Sequence, residues 1–423
     1  MLLNRCLFSL PLLVLSAVLH AQSYSPKEIR FEGAKAYASA DLLATAGLKQ
    51  GATVSVKEIE AAMQRLADTG LFSDTRYAVN PQALTLTLTL IDANQMLPVR
   101  YGNFAWWRTG ELTPLLHARV PLFHGTVPLN GGLMDSVKQA LVALMAEKGV
   151  AASVDSMSSQ DRPGGPVTAL TLMVASPEVK VGEVRFDGAS GAAVQGLAKV
   201  SAKLSGDDYD EIVTPKSVVN DAEEVYRDDG YLDIAVDAPT WATPRADGAR
   251  LLVDISATVH GGELYHVAKM DIIAPPQIAV GDLKKLVAIK AGDPASQVDL
   301  RIAQNRLVGP YVSAGYMDAR INTDVVKDSV AHTVAYGFTV APGEQYHVAS
   351  VSTSGLTPAQ DAEVKKSFHP APNAIFDREF TMSVFQLNSS PVFRGTPLRL
   401  DSRVDRTQHT VAVVLTTGHG AAR

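Results

Sequence analysis

Cysteine is almost absent from this chain. The only one, Cys6, lies within residues 1–21, which have the features of a secretory signal peptide. Arg5 stands near the start, an apolar run covers 7–19, and the small Ala21 ends the segment at a plausible cleavage point. The exported chain is therefore expected to contain no cysteine, which excludes disulfides and thiol chemistry.

Long apolar runs and dense blocks of positive charge are also missing. After residue 21 no apolar run reaches the roughly 18 residues that a membrane-spanning helix needs. The formal net charge is −6 and lysine and arginine are dispersed, so nucleic acid is not an expected partner. About 400 residues remain after the signal peptide, which is too long for one core and predicts several domains.

Catalytic and metal-binding motifs are the third absence. The sequence contains no G-x-S-x-G, no H-E-x-x-H and no phosphate-binding G-x-x-x-x-G-K-[ST]. His266 and His347 occupy equivalent places in two copies of one short motif, but each copy supplies a single histidine. We therefore predict no catalytic, metal-binding or cofactor-binding residue and no cofactor, and we do not expect an enzyme.

What the sequence does contain is a repeat. Gly262–Met270 (GELYHVAKM) and Gly343–Val351 (GEQYHVASV) share Gly, Glu, Tyr, His, Val and Ala, and lie 81 residues apart (343 − 262). Two further series of landmarks recur at about 80 residues, which is typical of a repeat architecture. The first series, in candidate first strands, is Phe31, Tyr101, Phe186, Met270 and Val351. The second, at candidate helix ends, is Gly70, Gly149, Gly230 and Gly315.

The first repeat shows the order of elements most clearly. A strand at Ile29–Phe31 precedes a short helix with Ser39 as its cap, and Ser55 with Glu58 forms a capping box for a second helix. Thr75–Val79 and Leu84–Ile91 alternate as two strands. The predicted fold class is α+β, with tandem β-α-α-β-β repeats that each form a three-stranded mixed sheet covered by two helices, arranged in an extended arm. The predicted repeats, the fifth divergent, are 22–94, 95–176, 177–261, 262–342 and 343–423.

This pattern resembles the POTRA domain, the polypeptide-transport-associated module. Five tandem copies resemble the periplasmic arm of the outer-membrane protein assembly factor family. The resemblance covers roughly Tyr24–Thr417. The residues that carry it are the strand–glycine openings Arg30–Gly33 and Arg185–Gly188, the G-E-x-Y-H-V motifs at Gly262 and Gly343, and the helix–glycine–aromatic steps at Gly70, Gly230 and Gly315.

The resemblance implies a function. It implies a non-enzymatic periplasmic scaffold or chaperone-like protein, associated with the outer membrane and active in outer-membrane protein assembly or transport. Its partners would be extended outer-membrane proteins or a separate β-barrel protein. Family members continue into a transmembrane β-barrel, whereas this sequence stops at Arg423, so we expect an arm without that barrel. The alternatives are a cell-envelope structural adaptor that docks fixed protein partners and, least favoured, an exported enzyme with a site between repeats.

The expected binding mode is strand addition, because an edge strand presents unpaired N–H and C=O groups to an extended client. In the family the middle strand lies at such an edge, which implies edges at Thr75–Val79, Leu232–Val236 and Met317–Asn322. Aspartates beside these edges would also suit protection against aggregation. The candidate edge residues are Thr75, Tyr77, Val79, Leu232, Ile234, Val236, Met317, Ala319 and Ile321. For the pair Trp106–Trp107, core packing is favoured and a partner-binding patch is the alternative.

Overall fold

The computed structural model describes residues 23–108, 110–160, 162 and 164–417. Two compact units are formed. Of the described residues, the first comprises those from Ser23 to Arg185, with Leu204–Lys216 and Thr240–Ile255. The second comprises Phe186–Lys203, Ser217–Pro239 and the described residues from Ser256 to Thr417. Within the described ranges, no helix is both long enough and apolar enough to cross a membrane.

The first repeat forms a mixed three-stranded sheet in the order β2-β5-β4. β2 runs parallel to β5, and β4 runs antiparallel to it. The alternating Thr-Leu sequence of β5 turns Leu86, Leu88 and Leu90 inward, and each is at most 1% exposed. The elements are β1 (Ser23–Tyr24), β2 (Glu28–Gly33), α1 (Ser39–Ala46), β3 (Val54–Ser55), α2 (Val56–Asp68), β4 (Phe72–Asn80) and β5 (Thr85–Asp92).

The helix caps of this repeat follow the sequence prediction in one case and not in the other. Ser55 and Glu58 form the predicted capping box, with each side chain accepting a hydrogen bond from the other residue's backbone N–H. Ser39 is not a cap. The chain is still extended at Ala38, which takes the N-cap position, so Ser39 is already the first helical residue.

The second repeat adds a short strand to the common plan, giving the sheet order β7-β6-β9-β8. Its last hairpin is long, because β8 continues to Gln160, which pairs with Val167 of β9. The elements are β6 (Met96–Tyr101), α3 (Leu112–His117), β7 (Thr126–Pro128), α4 (Leu133–Glu147), β8 (Ser153–Gln160) and β9 (Val167–Ser176).

The third repeat departs most from the common plan, and it supplies residues to both compact units. Its middle strand is broken into short segments that all pair with the long last strand. The elements are β10 (Glu178–Asp187), α5 (Ala193–Leu204), α6 (Val213–Asp228), β11 (Ala235–Val236), β12 (Thr240–Trp241), β13 (Arg245–Asp247) and β14 (Arg250–His260).

The fourth and fifth repeats have nearly identical topology, with sheet orders β15-β17-β16 and β18-β20-β19. Each encloses its own cluster of buried side chains. The fourth contains β15 (His266–Ile273), α7 (Val280–Leu286), α8 (Gln297–Ser313), β16 (Arg320–Asp328) and β17 (Thr333–Ala341). The fifth contains β18 (His347–Ser354), α9 (Pro358–Ser367), α10 (Arg378–Gln386), β19 (Leu398–Asp405) and β20 (Thr410–Thr417).

The first series of sequence landmarks falls on one structural position in every repeat. All five residues lie in the first strand of their repeat, and four of them are paired here with a residue of the parallel last strand. Those pairs are Phe31 with Leu88, Tyr101 with Leu172, Met270 with Tyr336, and Val351 with Val413. The fold is therefore mixed α+β, as the sequence predicted, with the expected three-stranded sheet in the first, fourth and fifth repeats and additional strands in the second and third.

Candidate functional site

The predicted binding edge of the first repeat lies on β4, the outer strand of its sheet. Thr75, Tyr77 and Val79 pair with Leu90, Leu88 and Leu86 of β5. Tyr77 is 38% exposed, whereas Thr75 and Val79 are half-buried. The register shifts at the N-terminal end of β4, between Phe72 and Asp74, and it is regular from there to Asn80.

The predicted edge of the third repeat is largely not a strand, and this prediction is corrected. Only Ala235 and Val236 of Leu232–Val236 pair with β14. Ile234 is 6% exposed and belongs to a buried cluster, and Leu232 packs against the core of the fourth repeat. Leu232 and Ile234 lie outside the ladder, so they offer no extended strand to which a client could be added.

In the fourth repeat the edge strand is displaced from the predicted segment. β16 begins at Arg320, so Met317 and Ala319 precede it, and only Ile321 of the three candidates lies within it. Met317 packs against the core of the fifth repeat and Ala319 against that of the fourth. The strand instead continues to Asp328, paired with β17 in an uninterrupted register over nine residues.

The tryptophan pair is divided between core and surface. Trp107 is 7% exposed, so it cannot contribute to a partner-binding patch. Trp106 is half-buried and lines a groove of about 400 Å³ together with Pro177, Pro244 and Leu251. The patch hypothesis is therefore reduced to Trp106 alone.

The recurring tyrosine of the G-E-x-Y-H-V motif joins neighbouring repeats. Tyr265 is fully buried, and its hydroxyl donates a 2.5 Å hydrogen bond to Asp233 in the third repeat. The backbone N–H of Tyr265 donates to the carbonyl of Gly230 at 3.0 Å. Lys327 donates to the second oxygen of Asp233, and His332 meets the Tyr265 ring edge-on with centroids 5.5 Å apart. We call Tyr265, Asp233, Lys327 and His332 the 3/4 joint.

The same arrangement recurs one repeat later. Tyr346 is fully buried and donates a 2.5 Å hydrogen bond to Asp318, and its N–H donates to Gly315 at 2.9 Å. Arg406 lies 3.6 Å from the other oxygen of Asp318, and the ring centroids of His409 and Tyr346 are 5.4 Å apart. Tyr346, Asp318, Arg406 and His409 form the 4/5 joint. At both joints, the G-E-x-Y-H-V motif of one repeat contacts the helix–glycine–aromatic step of the preceding repeat, and this contact explains why the two motifs recur together.

These contacts have clear electrostatic consequences. The Lys327 ammonium group and then the Tyr265 hydroxyl lower the pKa of Asp233, because both stabilise its charged form. At the 4/5 joint the hydrogen bond to the Asp318 carboxylate raises the pKa of Tyr346, because an anionic tyrosinate would be repelled there. The aspartates beside the predicted edges thus include two that hold repeats together.

The repeated histidines have a structural explanation. Nδ1 of His266 lies 3.0 Å from the carbonyl oxygen of Gly292, and Nδ1 of His347 lies 3.0 Å from that of Asn373. Each ring contacts the loop that follows the first helix of its own repeat. These two histidines are anchored to backbone rather than arranged as ligands.

A different set of residues could hold a metal ion, and the sequence analysis did not find it. Asp41, His117 and His124 each direct one ligand atom to a common region, and these atoms lie within 4.8 Å of one another. His117 and His124 are seven residues apart, but Asp41 comes from another repeat, so no local spacing identifies the group.

The chain is similar to known proteins in its first repeat and over most of its length. Residues 24–91 match the POTRA family model, described as "Surface antigen variable number repeat". The first repeat is a POTRA domain. A Treponema pallidum (strain Nichols) protein with the name "Putative outer membrane protein assembly factor" is 22% identical over 367 residues, which is 84% of this chain. The matched region spans only 42% of that relative.

Solved POTRA structures are similar to parts of the chain. Haemophilus influenzae BamA POTRA3-5 is 17% identical, covers 58% of this chain and 98% of its own, and gives a TM-score of 0.41. POTRA1-3 of Anabaena Omp85 is 15% identical, covers 57% and 94%, and gives a TM-score of 0.25.

Proposed function

We propose that this chain is a non-enzymatic, periplasmic POTRA scaffold or chaperone-like protein in outer-membrane protein assembly or transport. It binds extended outer-membrane proteins, or a separate β-barrel partner at the outer membrane, by adding their strands to its sheet edges. The POTRA match of the first repeat, the shared topology of the later repeats and the name of the Treponema relative support this role.

The observation that carries the proposal is the outer side of β16. The strand is nine residues long, and among the described strands only β17 pairs with it. Val325 and Val326 on this strand are 50% and 68% exposed. An extended client could bond to the free side through main-chain groups and cover the two valines. Main-chain recognition tolerates many sequences, which suits a protein that handles many clients.

Charged residues on the same strand limit unwanted association. Asp324, Lys327 and Asp328 are exposed along β16, and charges on an edge strand discourage pairing with a second folded sheet. Lys327 is additionally engaged with Asp233 at the 3/4 joint. The central part of β16, around Asp324 and Val325, is therefore the segment most available for a client.

A pair of adjacent proline substitutions tests this edge. Successive residues of an edge strand direct their N–H groups to opposite sides, so one of Asp324 and Val325 donates toward β17 and the other toward solvent. Proline removes that N–H at either position. We expect one of Asp324→Pro and Val325→Pro to disrupt the sheet, and the other to remain folded and bind less tightly.

The measurement is fluorescence anisotropy of a labelled peptide with alternating apolar and polar residues, after circular dichroism has identified the folded variant. Loss of one hydrogen bond worth about 0.5–1.5 kcal/mol weakens binding by about twofold to tenfold. Val325→Thr retains the N–H and serves as the matched control, with affinity near that of the parent. Unchanged affinity in the folded proline variant would refute strand addition at β16.

The second candidate function, a structural adaptor for fixed partners, is favoured by the Trp106 groove. A half-buried tryptophan beside two prolines can anchor a complementary side chain of a folded partner. Trp106→Ala would then abolish partner binding, while extended peptides would not bind the parent at all. This outcome separates the adaptor from the client-binding scaffold.

A further inference from the structure

We propose that Asp41, His117 and His124 bind a divalent transition-metal ion, Zn²⁺ by preference, between the first and second repeats. Two imidazoles and one carboxylate supply three of the four ligands that Zn²⁺ usually takes, and water completes the set. The proposal rests on the contacts of these side chains and is independent of the proposed function.

The ligand atoms are already close to a coordinating arrangement. Nε2 of His117 lies 3.9 Å from Oδ2 of Asp41, and the ring centroids of His117 and His124 are 4.7 Å apart. Ligand atoms on a tetrahedral zinc ion with bonds of about 2.0–2.2 Å lie roughly 3.3–3.6 Å apart. Closure around an ion therefore requires side-chain shifts of about an ångström.

The orientation of His117 favours metal binding. Nδ1 of its ring lies 3.3 Å from the carbonyl oxygen of Phe123, which is the partner that a protonated Nδ1 requires. The unprotonated Nε2 then faces Asp41. A metal-bound histidine typically donates its other ring N–H to a backbone carbonyl or carboxylate in this way. Phe123 is fully buried, so the carbonyl that orients the ring is itself fixed in place.

His124 is positioned by both repeats. Its ring centroid lies 5.6 Å from that of Tyr37 in the first repeat, and Tyr37 packs edge-on against Phe72. The next residue, Gly125, accepts a 2.9 Å hydrogen bond from Val99 through its carbonyl. The loop that carries His124 is thus tied to its own sheet while the ring faces the neighbouring repeat.

The consequence of binding is a link between helices of two repeats. Asp41 lies in the first turn of α1, and His117 is the last residue of α3. Their side chains are 22% and 38% exposed, so an ion can reach them from solvent. An ion held by both repeats would restrict movement at this contact and stabilise the folded chain.

Zinc binding to the full-length exported protein, purified without a histidine tag, tests the proposal. Equilibrium dialysis against buffered free Zn²⁺ should give one ion per chain for the parent. His117→Ala should lose this ion, and so should His124→Gln, which alters an exposed side chain and preserves its size and polarity. Zinc should raise the melting temperature of the parent and leave that of both variants unchanged.

His260→Ala is the matched control. His260 lies 3.1 Å from Asp237 and forms a more exposed His–Asp pair, but it belongs to no three-residue group among the described residues. This variant should bind zinc like the parent. The proposal is overturned if the parent binds no zinc at micromolar free concentration, or if folded His124→Gln and His117→Ala retain the full stoichiometry.

Discussion

Tyr265 and Tyr346 illustrate how a buried polar group is satisfied at the level of single residues. Each ring fills the space between two repeats, and each hydroxyl would lose hydration without a partner. Asp233 and Asp318 provide that partner, and a cation beside each carboxylate balances its charge. The G-E-x-Y-H-V motif therefore encodes packing between repeats, and its tyrosine needs no catalytic explanation.

The substitution Asp233→Asn tests the electrostatics of the 3/4 joint. The amide can still accept from Tyr265 but loses the attraction to Lys327. Because the pKa of Asp233 is lowered below its usual 3.8, the carboxylate contributes stability above that pH and loses it as pH falls further. We expect a melting temperature lower by about 1–3 °C at pH 7, and no difference from the parent in strong acid.

Differential scanning calorimetry at pH 7 and at pH 2 would measure this difference, with Asp207→Asn as a control at an exposed aspartate. The control should leave the melting temperature near that of the parent. A deficit of Asp233→Asn that is equally large at both pH values would contradict the proposed role of the charge.

At the scale of helices and strands, the ends of the helices show why glycine recurs in this sequence. Gly315 follows α8 with φ of +91°, a conformation that other residues adopt only with strain. A Cβ atom there would also lie 2.6 Å from Ile375 of the next repeat. Gly70 is similar, since a Cβ would lie 1.9 Å from the carbonyl oxygen of Asn130. The glycine therefore serves both the helix end and the contact with the following repeat.

Two glycine substitutions separate these roles. Gly206 has the same φ of +91°, but an added Cβ would meet no atom within 4 Å. Gly206→Ala should cost only the backbone strain, about 1–2 kcal/mol. Gly315→Ala should cost about 1–3 kcal/mol more, because Ile375 must move. Urea unfolding would measure both, and equal losses would show that the inter-repeat contact contributes nothing.

The edge strands also differ between repeats. β16 has nine residues, whereas β11 has two, and Ile234 and Leu232 before β11 pack into buried clusters without joining the ladder. Topologically equivalent strands therefore do not offer equivalent binding edges. Client binding should therefore concentrate on repeats with a long regular edge ladder, such as that of β16 in the fourth repeat.

At the scale of the whole molecule, stability is distributed among the repeats. The buried cluster of the fourth repeat contains residues 265–340, and that of the fifth contains residues 346–415. In repeat proteins each unit contacts mainly its neighbours, so damage stays local. The tryptophans provide a regional probe, since all three lie between residues 106 and 241.

Phe338→Ala tests whether the effect of core damage is local. Phe338 is fully buried in the fourth repeat, and its truncation should cost that repeat about 3–5 kcal/mol. We expect the unfolding transition seen by circular dichroism to broaden toward lower urea, while the tryptophan fluorescence transition keeps its parental midpoint.

Leu141→Ala, at a fully buried position of α4 in the second repeat, is the complementary variant. It should shift the tryptophan transition instead. Coincident shifts of both signals in both variants would indicate that the chain unfolds as one cooperative unit.

The repeat period, the order of elements and the class of fold are determined by the sequence alone. Alternating Thr-Leu residues specify β5, and the Ser55–Glu58 box begins α2, because these signals depend on neighbours along the chain. The POTRA resemblance depends on the same local signals. The exact extent of a strand is not specified by local signals. The edge expected at Met317–Asn322 therefore differs from the observed strand β16, which begins at Arg320.

Only the tertiary structure decided which residues from different repeats meet. The contact of Tyr265 with Asp233 spans 32 residues, and that of Asp233 with Lys327 spans 94. Asp41 reaches His117 from another repeat in the same way. Such contacts depend on how successive repeats pack, and local propensity contains no information about that packing.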